Sequence, residues 1–491
     1  MGLLPALCLL ASSTSQGPTP PELPREFRAV WVATVDNIDW PSRRDLSSTD
    51  QQTEFIKILD TAKAMNLNAI ILQVRPSADA LYSSRLEPWS EYLTGRQGRS
   101  PSPFYDPLEF AVREAHRRGL ELHCWFNPYR AFHPSMKGPL ASRHVSRSSP
   151  RIVKKYGSFL WMDPGEQEVQ RRSLEVMLDV VKRYDIDGVH LDDYFYPYKE
   201  KGPDGKIMDF PDQPSYQKYL DGGGTLGKND WRRQNVDGFI ENLYKGIKQE
   251  KKWVKVGISP FGIWRPGYPK GIKAGVDQYA DLYADARKWL QNGWCDYISP
   301  QLYWPIKQTA QSYPALLQWW NEEDTQGRHV WPGNFTSRTN PAEGNWQASE
   351  VVNQIKITRE MHSDGNVHFS MKAFLDNWHS IRDVLRKGVY ANPALVPASP
   401  WLGDKAPGAP KIHVDDLGVH HWSVSWNPSG RDKVRFYSVA LRIDGQWQAP
   451  KVSDDTSVDI SQTIGVPTEI AVTSVDLTGN ASLPAIAKLS G

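Results

Sequence analysis

At 491 residues the chain exceeds one ordinary domain, although a single α/β barrel can occupy well over half of it. A net charge of +2 gives no global attraction to nucleic acid or an anionic membrane, and no apolar run is long enough to cross a bilayer. The 20 tryptophans and 20 tyrosines fit either a large aromatic core or a carbohydrate cleft in which flat rings stack on sugar faces.

In chain order, residues 2–11 are apolar and are followed by small residues and a proline-rich spacer, 17–24. This resembles the apolar region and cleavage zone of a secretory signal, without the usual basic start. The expectation is an exported protein, in the periplasm, the cell envelope or outside the cell. Cys8 offers lipid anchoring as a weak alternative, because Leu7 precedes it where a small residue is wanted. Cys124 and Cys295 each sit in an apolar run and read as buried free thiols. No Cys/His cluster has zinc-ligand spacing, so neither metal nor cofactor is expected.

From residue 25 onward, strand-like runs alternate with helix-like runs. The strands fall at 27–35, 69–75, 120–127, 187–197, 255–261, 296–303, 329–335 and 366–371. Helices are expected at 49–65, 107–118, 166–184, around 236–249 and at 279–292, the second stopping at Gly119. The pattern predicts a (β/α)8 TIM barrel over residues 25–400 with long loops after its strands. Strand side chains alternate between faces. Val189 and Leu191 therefore oppose His190, Asp192 and Tyr194; Ile70, Leu72 and Val74 oppose Gln73 and Arg75. In the third run Leu122, Cys124 and Phe126 oppose His123, Trp125 and Asn127. In the fifth, Val256 and Ile258 oppose Gly257 and Ser259. In the sixth, Ile298 and Leu302 oppose Ser299, Gln301 and Tyr303. In the eighth, Val367, Phe369 and Met371 oppose His368, Ser370 and Lys372. The seventh run resolves no facing. Polar groups on one side, near strand C-termini, describe a ligand-shaped mouth rather than a barrel filled for stability.

Long insertions follow strands at 128–163, 198–231 and 262–277, as expected of segments that wall a cleft. The first is basic and is either a receiver for an acidic substrate group or a solvated loop. After 397 the character changes. Residues 401–410 read as a linker and 411–491 as a small fibronectin type III-like β-sandwich, with no chemistry assigned to it.

The matching motifs are Arg28-Ala-Val-Trp31, Gln73-Val-Arg-Pro76 with Asp79-Ala-Leu-Tyr82, and Trp125-Phe-Asn-Pro-Tyr-Arg130. They continue with Asp163-Pro-Gly165, the whole of 187–197, Asp230-Trp-Arg-Arg233, Gly257-Ile-Ser-Pro-Phe-Gly-Ile-Trp264 and Pro300-Gln-Leu-Tyr-Trp304. Through these the chain resembles the glycoside-hydrolase-like family ten over about residues 25–390. That group includes the bacterial cell-division protein that cleaves peptidoglycan strands stripped of their peptides. The resemblance implies a barrel glycosidase with a cell-wall polysaccharide as its partner.

Glycosidases generally need two carboxyl groups, an acid for the leaving oxygen and a base or nucleophile opposite. No carboxylate stands in the seventh run, so the common pairing of a fourth-strand with a seventh-strand Glu fails. Family-18 chitinases give another analogy: Asp187-Gly188, His190 and Asp192 keep their fourth-strand spacing, with Tyr194 where their acid Glu would be. Tyr303 matches their sixth-strand tyrosine. A substrate-assisted route through an N-acetyl group is suggested, with Asp192 orienting or deprotonating the acetamide and Asp193 as acid. Asp193 then needs a kink at the strand end to face inward. Asp79 is the reserve carboxylate. Gln301 and Tyr303 would hold sugar oxygens. Arg75, Asn127 and His190 would orient the carboxylates, and Trp125, Trp264 and Trp304 would stack. Gln73 and Tyr194 complete the expected substrate contacts. Plain structural readings stand beside these: a loop cap for Asp193, an ion pair with Arg75 for Asp192, a satisfied core histidine for His190, a turn cap for Asp79 and core packing for Trp125. Arg232 and Arg233 read as salt-bridge anchors. Competing functions are a non-catalytic glycan-binding barrel and a glycosidase for another polysaccharide.

Overall fold

The computed structural model describes residues 19–461 and 465–489. The leader-like run 2–11 with Cys8, and the start of the spacer, lie outside the described residues. Short β-rich segments pair in parallel: β1 (Phe27–Val32), β2 (Ala69–Arg75), β3 (Glu121–Phe126), β4 (Gly188–Leu191), β5 (Lys255–Ile258), β6 (Tyr297–Ile298), β7 (His329–Val330), β8 (Gly333–Asn334) and β9 (Gly365–His368). The pairing order is β7-β6-β5-β4-β3-β2-β1-β9-β8. Its two ends are consecutive pieces of chain separated by Trp331 and Pro332, so the sheet curls back on itself. Pro332 has no N–H to give a ladder. Around it the bonds change neighbour: Trp331 N donates to Ile298 O at 2.9 Å, and Val367 N donates to Pro332 O at 3.0 Å. That break is why the seventh run resolved no facing.

Helices cover the outside, several of them started by side-chain caps. In α1 (Ser48–Ala64) the Ser47 side chain accepts from Asp50 N; in α2 (Pro107–His116) Asp106 caps and Pro107 starts the helix. α3 (Gln167–Arg183) and α4 (Lys228–Glu250) pack on each other. The single helix expected over 279–292 is instead two, Gln278–Asp281 and Ala286–Gln291. Tyr283 between them has φ 53°, and Asp277 and Asp285 each accept from a first-turn N–H. Two caps make two helices.

Facing agrees with alternation on β2 as far as Gln73 and on β3 through β6, with the apolar set packed under the helices and the polar set inside; Arg75 at the end of β2 departs from it. β9 is reversed from expectation. Val367 and Phe369 pack with Trp31 inside, whereas His368 points out to Thr336 (2.8 Å) and Tyr390 (3.0 Å). Polarity misled here because an outward pocket satisfies the imidazole fully.

The interior is a column of rings. Gly188 and Gly257 are glycine because a Cβ there would overlap the His123 and Tyr297 rings. Cys124 and Cys295 are buried free thiols. The 128–163 insertion forms a three-stranded sheet of Arg130–Phe132, Val153–Tyr156 and Phe159–Met162, the last in the middle. Beyond Lys411 the chain is all-β. Two antiparallel sheets enclose Trp422, Val424, Trp426, Tyr437, Ile470 and Val472.

Candidate active site

Asp192 and Asp193 follow the last residue of β4, at the end of the sheet where loops are longest. Because the strand stops at Leu191, alternation no longer dictates where Asp193 points, and no kink within the strand is needed. The Trp125 indole N–H donates to Asp192 Oδ2 at 3.0 Å, and Tyr194 N donates to Oδ1 at 3.3 Å. The Tyr198 hydroxyl donates to Asp193, which also takes a side-chain bond from Gln301. The two residues are only 4 % and 5 % exposed. Burial, then repulsion from Asp193, pushes Asp192 up to about 7; burial also raises Asp193. A carboxyl group titrating near neutrality can both give and take a proton.

Several expected residues gather at this pair. The Tyr303 hydroxyl is raised by burial and then by Asp193 and Tyr194, and its ring lies 4.6 Å from Phe335. Gln301 Nε2 holds Ser259 O at 2.9 Å. The Tyr194 ring lies under the Arg130 guanidinium at 5.2 Å. Asn127 Oδ1 accepts from Tyr129 N (3.2 Å) and Arg130 N (2.8 Å), turning the loop back over the mouth. Gln73 Oε1 accepts from Thr34 N and Val35 N at 3.0 and 2.9 Å, tying the end of β1 to β2. The Gln73 and Asn127 amide nitrogens are buried without a partner. Trp304 packs edge-on against Phe261, 5.6 Å away, on the flank.

Other expected residues are placed elsewhere. Arg75 neither pairs with Asp192 nor orients it. The register slips between Gln73 and Arg75, and the guanidinium turns to Glu87, with Nε 2.7 Å from the carboxylate. Asp79 lies with that group, fully enclosed, accepting from Ser77 N (3.1 Å) and Gln97 Nε2 (3.3 Å); burial raises it to about 7. Trp264 is 7 % exposed, its N–H bound to Asp285 at 2.9 Å and its face stacked on Trp319, so it is wall rather than platform. His190 is a core histidine. Trp31 Nε1 can only donate, and does so to His190 Nε2 at 3.0 Å, which leaves the proton on Nδ1 toward the Tyr297 hydroxyl at 3.0 Å. Tyr297 then donates to His123 Nδ1 (2.8 Å), and His123 Nε2 to Glu121 (2.9 Å), which holds Lys255. Asp187 stays at the far end of β4, bonded to His116 and Leu122 N, each at 2.8 Å. Arg232 and Arg233 are anchors, to Asp212 and Asp230.

Sequence reasoning missed Arg130, Tyr198 and Trp31. Arg130 closes a motif already singled out, and its place three residues after a turn-forming Asn was the available signal. Tyr198 ends the aromatic run that starts at Tyr194. Trp31 also closes a singled-out motif, Arg28-Ala-Val-Trp31, but alternation along an apolar strand gives no sign that its indole heads a hydrogen-bond chain.

A family model described as Glycosyl hydrolase-like 10 matches residues 26–345. The chain is 42% identical over 453 residues to "Glycosyl hydrolase YngK" of Bacillus subtilis, covering 89% of this chain and 87% of that protein. It is 35% identical over 352 residues to "Glycosyl hydrolase DigH" of Escherichia coli, covering 65% and 78%. The PgaB (BpsB) glycoside hydrolase domain from Bordetella bronchiseptica shares the fold, with a TM-score of 0.51 at 12% identity over 74% of this chain and 98% of that one.

Proposed function

Because the chain belongs to the glycosyl hydrolase-like 10 family and is a glycosidase, we propose that it hydrolyses bacterial cell-wall glycan, with peptide-stripped strands of N-acetylated amino sugars as substrate. The observation that carries this is the buried Asp192–Asp193 pair, with Asp192 raised to about 7 beneath an aromatic, amide-lined mouth. Asp193 serves as the acid for the leaving oxygen. Asp192, aimed by the Trp125 N–H, orients the substrate acetamide or takes its proton. Tyr303, Gln301, Tyr194, Asn127 and Gln73 hold the sugar. In this reading the curled sheet is a (β/α)8 barrel with β7 and β8 as one broken strand, and the tail is a fibronectin type III-like module. The leader-like run 2–11 supports export.

The test is release of reducing ends from peptide-free glycan strands by the purified chain. Asp192→Asn and Asp193→Asn should each lower kcat/KM by about a thousandfold or more. Retention of the strands without cleavage would mean a binding barrel. Cleavage of a neutral glucan with none of the acetylated strands would remove the acetamide route.

A further inference from the structure

A buried guanidinium without a counter-ion is costly, and among the described arginines at most 9 % exposed just one lacks a carboxylate; the half-buried Arg328 also has none, but its Nε and Nη1 are sealed rather than open to solvent. Among the described residues, the other arginines at most 9 % exposed each hold a carboxylate. Arg28 has Glu26 at 2.6 Å, Arg75 has Glu87, Arg232 has Asp212 at 2.6 Å and Arg435 has Asp185 at 2.6 Å. Arg130 is 4 % exposed and has no carboxylate within ion-pair distance. Its Nε donates to Pro76 O at 2.9 Å, and its plane covers Tyr194. Its terminal nitrogens donate to no described residue. Nor are they among the sealed, unpartnered polar atoms, so they open to solvent. Asp192 and Asp193 feel its charge but do not bond it.

Resting on the glycosidase reading, we propose that Arg130 forms a subsite for a carboxylate carried by a substrate sugar. Two parallel N–H groups on a plane fit a carboxylate in bidentate fashion. A single negative charge suits this position better than a phosphate dianion, because two aspartates already stand beside it. The carboxylate can come from an O-lactyl ether on an amino sugar or from a hexuronate; the chemistry at Arg130 is the same.

The full chain is assayed on lactyl-bearing and uronate-bearing glycans, each before and after reduction of its carboxyl groups to alcohols. In the wild type, reduction of the productive substrate should raise KM by about tenfold, roughly one charge-assisted contact, with little change in kcat. Whether the lactyl or the uronate pair responds identifies the source. Arg130→Gln should process the native and reduced forms alike, and Arg130→Lys should restore part of the preference, with thermal melts confirming folding. The proposal is overturned if the wild type treats both forms alike. It is equally overturned if Arg130→Gln keeps the preference and only moves the acid limb of the pH–rate profile, as a mere counter-ion of the aspartates would. If no glycan yields reducing ends, the glycosidase reading fails separately. Retention on the same immobilised glycans then decides: preference for the unreduced form supports the subsite, and equal retention ends it.

Discussion

Burying a carboxyl group at the floor of a polar mouth favours its protonated form, and Asp192 illustrates the consequence. Its folded value of about 7 lies above the ordinary carboxylate range, so the folded chain holds a proton that the unfolded chain has released. Stability contributed this way is present at low pH and is lost as pH rises through about 7. An amide has no such cost. Asp192→Asn should therefore raise stability at about pH 8 by on the order of 1–3 kcal/mol, with the gain shrinking toward about pH 4, while activity disappears. Thermal melts at the two pH values check this; a variant less stable at both would show that the carboxylate is not the strained group. Asp79 offers the contrast. It has a similar value, but it is enclosed beside Arg75 and Glu87, away from the mouth. Asp79→Asn should give the same pH-dependent stabilisation while hydrolysis stays within a few-fold of wild type. Loss of turnover in a folded Asp79→Asn protein would return it to the candidate acids.

At the scale of strands, the ring column through the sheet explains residues that look catalytic in the sequence but serve the scaffold. His190, Tyr297 and His123 pass one directed chain of hydrogen bonds from Trp31 to Glu121, and each proton position follows from the indole at its head. Gly257 exists to admit Tyr297. Gly257→Ala should cost about 2–4 kcal/mol in urea unfolding, since the ring it meets is held at both sides and cannot turn away. A loss under about 0.5 kcal/mol would mean that the column relaxes easily. This is also where the sequence was most and least legible. Alternation found the inward faces of five strands, because a two-residue period needs no partner to be read. It failed at Arg75, where a register slip opposite β3 resets the period, and at His368, where satisfaction came from Thr336 and Tyr390 far along the chain. Asp192 and Trp125 were legible as inward, strand-end residues. Arg130 was not, because its significance is the absence of the carboxylate that Arg28, Arg75, Arg232 and Arg435 each hold.

Across the whole molecule, the C-terminal sheets are docked to the base of the sheet rather than held apart from it. Arg435 reaches Asp185 at 2.6 Å and Asp187 at 2.9 Å; Lys63 Nζ donates to Val452 O at 2.6 Å, and Trp401 Nε1 to Asp296 at 2.8 Å. Leu395, Phe436, Val452 and Val475 form an apolar cluster in the joint. The stretch expected as linker thus begins with a packed segment, Leu402 being 5 % exposed. Burial alone would push Asp187 up, but Arg435 and His116 outweigh it and hold this carboxylate well below its ordinary range. Removing the guanidinium leaves a buried anion bonded to His116 and to the Leu122 amide at the start of β3. Arg435→Met should therefore cost about 3–5 kcal/mol near neutrality. The sign of the pH dependence is fixed by the lowered value: this stabilisation is present above the unfolded carboxylate range and is lost as pH falls below it. The gap between wild type and Arg435→Met should accordingly narrow as pH drops from about 7 to about 3.5. Calorimetry of the full chain should show one transition for the wild type and an earlier one for the variant. Two separate wild-type transitions, or a gap that widens in acid, would show that the tail and the sheet fold as strangers and that Arg435 does not bind them.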